Sequence, residues 1–111
     1  MKLISRTEEM LLLAVCRLQD EAVALQIRQE VERISGKRFS VGGIYVPLDR
    51  LVRKGMLQTE SIATKADRMG RPRRRFSITT KGLAMLKEAH AMQRAMWADL
   101  PDGFITRLEL G

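Results

Sequence analysis

A chain of 111 residues suffices for one compact domain with a real core but little surplus. Hydrophobic residues make up 45% and charged ones 30%, as in ordinary globular proteins, and no apolar run approaches the ~20 residues of a membrane helix, which excludes a spanning segment. Lysine and arginine number 20 against 13 acids, net +7, and residues 65–75 hold six of those bases (Lys65, Arg68, Arg71, Arg73, Arg74, Arg75) with one acid, Asp67, so the remainder is close to neutral.

Ser5-Arg6-Thr7-Glu8 has capping-box spacing and predicts a first helix to about Leu18. Its run Met10–Cys16 is apolar all round, so more than one face should be covered. Cys16 reads as a small core residue; as the one cysteine it excludes an internal disulfide and fits a reducing cytosol. Asp20 is expected to cap a second helix, with Val23, Ile27, Val31 and Ile34 on one stripe and Gly36 as its stop. Ser40 caps a third helix, in which Val41, Ile44, Leu48, Leu51 and Val52 form the inner stripe and Gly55 ends it. Pro47 stands inside that helix, where it deletes one hydrogen bond and clashes with the carbonyl of Gly43 at a typical cost of ~3 kcal/mol, so a kink or break is expected.

Leu57 to Ile62 is strand-compatible, residues 64–72 lack apolar periodicity, and Arg73 to Thr79 alternates. The segment predicts a β-hairpin with a basic tip, Phe76 and Ile78 on one face, Arg75 and Ser77 on the other. Alternation also sends Arg74 to the Phe76 side. Thr80 is expected to cap a last, long helix through Leu100, followed by a turn at Pro101-Asp102-Gly103 and a tail from Phe104.

The fold class is therefore mainly α with a small β-hairpin: a winged helix-turn-helix over residues 1–79, a long C-terminal dimerisation helix over 80–100, and a tail over 101–111. In that order of elements the third helix enters a DNA groove and the hairpin is the wing. Arginines at the wing can meet phosphates or the minor groove, because guanidinium is weakly hydrated and fork-shaped. Projection of the third helix puts Gly42, Val46, Asp49 and Arg53 outward, with Tyr45 and Arg50 flanking. Gly42 and Gly43 remove side chains where the helix N-terminus approaches a phosphate. The candidate DNA-binding residues are Ser40, Gly42, Gly43, Tyr45, Arg50, Arg71, Arg73 and Arg74. On the last helix Met85, Ala89, Met92 and Met96 recur at coiled-coil-like spacing and form a candidate homodimer seam. Met96 and Trp97 are candidates for a pocket that takes a small hydrophobic effector.

With one histidine (His90), one cysteine in an apolar helix, no metal-ligand cluster and no phosphate-cradling glycine loop, the sequence supports neither an enzyme nor a cofactor. The rival reading is a winged-helix interaction module that binds RNA or a protein through the same basic wing.

Ser40, Gly42, Ile44-Tyr45, Leu48, Arg50-Leu51 and Gly55 resemble the S-x-G-x-[LI]-Y-x-x-L-x-R-L-x-x-x-G signature of PadR-like transcriptional regulators. Gly70, Arg73-Arg74, Phe76, Ile78, Thr79 and Gly82 resemble that family's G-x-x-R-[KR]-x-[YF]-x-[LI]-T-x-x-G segment. The resemblance covers about residues 5–100. It implies a cytoplasmic repressor that binds double-stranded DNA at a palindromic operator as a homodimer, through the helix after the wing together with the N-terminal helix, where Leu12 is the candidate contact. Two positions depart from the family pattern. The proline that many members carry directly after the tyrosine stands one place later, as Pro47, and the family's Tyr-Gly-Tyr early in the second helix is Val23-Ala24-Leu25 here, so contacts of those tyrosines do not carry over.

Overall fold

The computed structural model describes residues 3–62 and 73–110. Its element order is α1 (Arg6–Leu18), a short 3-10 turn (Gln19–Glu21), α2 (Ala24–Ser35), α3 (Val41–Arg53), β1 (Leu57–Ile62), β2 (Arg73–Ile78), α4 (Thr80–Trp97) and α5 (Phe104–Leu110). This is the expected winged helix-turn-helix, with a long helix after the wing.

The helix starts follow local chemistry. The Ser5 hydroxyl accepts from Glu8 N at 3.1 Å while the Glu8 carboxylate accepts from Ser5 N at 2.9 Å, a complete capping box that begins α1. Gly36 adopts φ +72° and stops α2, a backbone region where a side chain would be strained. α2 itself begins later than Asp20 implies. Asp20 lies in the 3-10 turn, and α2 starts at Ala24 with no side-chain cap. The reason is tertiary: Phe76 N donates to Ala22 O at 2.8 Å and Val23 bridges Arg75, so residues 22–23 are drawn out along the free edge of β2 before the helix can begin.

Pro47 neither breaks α3 nor splits it, for the helix runs unbroken from Val41 to Arg53. Leu48 and Leu51 on the following turn are fully buried, and that burial offsets the lost hydrogen bond. Two outer positions of the expected stripes are exposed instead: Ile34 at the end of α2 and Val41 in the first turn of α3. The last long helix is capped by Thr79, one residue before the expected Thr80, and it ends at Trp97 rather than Leu100. The tail forms the seven-residue helix α5.

β1 and β2 pair antiparallel with Leu57 opposite Ile78 and Ile62 opposite Arg73. Phe76 points inward from β2 and joins Leu11, Leu12, Ile27, Ile44, Leu48, Leu51 and Leu57 as the fully buried centre of one core. α4 covers this core with Leu86 and Ala89, while Met92, Met96 and Trp97 further along are exposed. The molecule is elongated, 58 × 30 × 21 Å.

Candidate nucleic-acid interface

The surface of interest is the outer side of α3 beside β2. Ile44, Leu48 and Leu51 face the core, which turns Gly42, Tyr45, Val46 and Arg50 outward; Tyr45 is 43% exposed and Val46 54%. The Ser40 hydroxyl accepts from Gly43 N at 2.9 Å and so acts as the cap that fixes the first turn. Open space surrounds the position a Cβ of Gly42 would take, leaving the helix N-terminus bare. Gly43 differs, because a Cβ there would press on the Ser40 Oγ. The chain before α3 is held from α2: Phe39 N donates to the Glu32 carboxylate at 2.7 Å. Glu32 is a positioning residue that sequence reasoning missed. Its partner is a backbone amide seven residues away, which no side-chain pattern announces. Lys37 and Arg38, also missed, are exposed in the same turn next to the bare N-terminus.

The far end of α3 is gripped from two sides. Lys54 Nζ donates to Glu8 at 2.7 Å. Burial alone would raise the Glu8 carboxyl, but the Lys54 ammonium and the Ser5 amide and hydroxyl outweigh it and hold it below its ordinary value. From α4, Thr79 Oγ1 donates to Gly55 O at 2.6 Å and Lys81 Nζ to Lys54 O at 2.8 Å. Gly82 packs so closely that a Cβ there would collide with Met56 O. The final residues of both family-like motifs, Gly55 and Thr79 with Gly82, thus meet in one joint.

The wing arginines divide. Arg73 is exposed, with no ion-pair partner among the described residues. Arg74 donates to Asp49 on α3 at 2.8 Å and stacks over Phe76, its guanidinium carbon 5.3 Å from the ring centroid. It is therefore occupied by its own chain and does not extend freely outward. Arg75 pairs with Glu60 across the hairpin. Arg71, Gly70 and Pro72 lie outside the described residues.

Of the candidate seam residues, Leu12 is fully buried within its own core and has no surface to give a partner. Ala89 is largely covered by its own domain and Met85 half-buried, whereas Met92 is 41% and Met96 73% exposed. Leu3, Ile4, Met85 and Met92 border a cavity of about 20 Å³ between the N-terminal segment and α4. Trp97 is exposed. His90 is exposed too, and burial pushes the Cys16 thiol up, away from the nucleophilic thiolate. Among the described residues there is no group of metal-ligating side chains, and no helix is long and apolar enough to cross a membrane.

No curated protein matches the sequence. Several solved structures share the fold. A PadR-like transcription factor from Bacteroides fragilis is 25% identical with a TM-score of 0.66, covering 81% of this chain and 82% of that one. A PadR family transcriptional regulator from Eggerthella lenta is 22% identical with a TM-score of 0.64, over 96% and 87% of the two chains. RosR from H. salinarum is 19% identical, also with a TM-score of 0.64, over 96% and 88%. The sequence model of the family described as "Transcriptional regulator PadR-like family" matches residues 12–88, most of the chain, and the protein belongs to that family of transcriptional regulators.

Proposed function

We propose that the protein is a cytoplasmic repressor that binds a palindromic operator in duplex DNA as a homodimer. The observation that carries this reading is the outer face of α3: a capped, side-chain-free N-terminus followed by exposed Tyr45, Val46 and Arg50, with the wing strand alongside. An exposed helix face of that composition suits the major groove, where the N-terminal residues of a recognition helix reach base edges. The open first turn at Ser40 and Gly42 then faces a phosphate, with Gly43 held in the Ser40 cap behind it, Tyr45 and Arg50 reach bases or the backbone, and Arg71 and Arg73 neutralise phosphates.

The seam of the homodimer is α4, through Met92 and Met96 with Met85 and Ala89 at its margin. Residues 1–79 form the DNA-binding unit and 80–100 the dimerising one. A small hydrophobic effector would sit at that seam beside Met96 and Trp97, which are both exposed in the single chain and need a cover from outside it.

Selection from a randomised duplex library tests the reading. The expected product is a palindrome with half-site centres about 10 base pairs, or whole turns, apart. Recovery of no enriched sequence would contradict it. A reporter placed behind the selected site should fall in output when the protein is expressed; a rise would make the protein an activator.

A further inference from the structure

The pair between Asp49 and Arg74 joins the middle of α3 to the wing strand, and it lies on the side proposed to meet DNA. We propose that Asp49 sets the protein's affinity for duplex DNA of any sequence: it holds Arg74 on the protein, keeping one wing arginine out of the pool that neutralises phosphates. This inference rests on the reading that the outer face of α3 and the wing contact duplex DNA.

Three observations carry it. Asp49 is a half-buried acid on a helix face where a bare carboxylate would repel the phosphate backbone, and one guanidinium nitrogen of Arg74 stands 2.8 Å from its Oδ1. An exposed ion pair is by itself a weak restraint, but this guanidinium also stacks over Phe76, which is fully buried and rigidly placed. Finally, strand alternation puts Arg74 on the same face of β2 as Phe76, so its side chain leaves the strand toward α3 while Arg73 leaves on the other side.

The consequence follows from counterion release. Affinity for random duplex depends on how many phosphates the protein neutralises, each contributing a slope of about −0.9 in log K against log salt. An arginine held by an aspartate contributes nothing to that count, and the aspartate it covers repels nothing. Phosphate neutralisation is common to operator and random duplex, so the bridge lowers affinity for both together and leaves discrimination to the base contacts of α3.

Anisotropy titrations of a labelled random-sequence duplex across a salt series test this on the full chain, with thermal melts of each variant. Arg74→Gln bares the Asp49 carboxylate and should leave the salt slope no steeper than wild type; Arg74→Met, which retains the apolar stem over Phe76, serves if the glutamine variant fails to fold. Asp49→Asn should steepen the slope by about 0.9 per protomer, or about 1.8 for a dimer, because the released arginine then reaches a phosphate. Combining it with Arg74→Gln should restore the wild-type slope. If the double variant has a flatter slope than wild type, or if Asp49→Asn steepens it equally in the Arg74→Gln background, the inference is overturned while the DNA reading stands. A wild-type protein that binds no duplex at all overturns both.

Discussion

Glu8 carries two jobs in one carboxylate, closing the cap of α1 and anchoring Lys54 at the end of α3. Because its folded-state value lies below the ordinary one, its contribution is present above the ordinary carboxylate range and is lost as pH falls through the folded value. Glu8→Gln should lower stability near neutral pH by about 1 kcal/mol and flatten the acid limb of the stability curve. Denaturant melts from pH 7 down to pH 3 would show it; an unchanged acid limb would mean that Glu8 does not sense folding. The capping box was legible from Ser5 and Glu8 alone, since both partners lie within one turn. The Lys54 bridge was not, because 46 positions separate it from Glu8 and only the assembled fold brings them together. The same holds for Asp49 with Arg74 and for Glu32 with Phe39 N, where long-range packing chooses the partner.

At the scale of elements, helix and strand periodicity is legible in the sequence, and the structure departs from it where one element acts on another. Asp20 has good capping chemistry but loses to the pull of β2 on Ala22 and Val23. Pro47 should break an isolated helix, yet tertiary burial of Leu48 and Leu51 holds α3 in one piece. Its cost should still be recoverable. Pro47→Ala restores a donor toward Gly43 O and should raise stability by about 2–2.5 kcal/mol, the ~3 kcal/mol of an interior proline less the roughly 0.4–1 kcal/mol of unfolded-state entropy it removes. A calorimetric melt that shows no rise would place the true cost of this proline near zero. Gly82 makes the opposite case. Its Cβ has no room above Met56 O, so Gly82→Ala should destabilise by roughly 1–3 kcal/mol, as overpacking does, and should loosen the hold of α4 on the end of α3.

For the whole molecule, the winged helix-turn-helix order was legible because three helices and a hairpin each carried their own pattern, and the family match rests on the same stretch. The proposed seam is a different matter, since a single chain shows only which residues are left uncovered. If α4 forms that seam, Met92→Glu and Met96→Glu should each yield monomers or aggregates, with DNA binding sharply weakened. Sedimentation equilibrium decides it, and a well-folded wild-type monomer at micromolar concentration would remove the dimer. The measurement that bears most directly on the central claim compares a selected palindrome with a shuffled duplex of the same composition, for wild type, Tyr45→Phe and Arg50→Ala. Wild type should prefer the palindrome, and a variant that loses a base contact should give up about 1–3 kcal/mol of that preference while its affinity for shuffled DNA changes little. Equal affinity of the wild-type protein for the two duplexes would contradict the account.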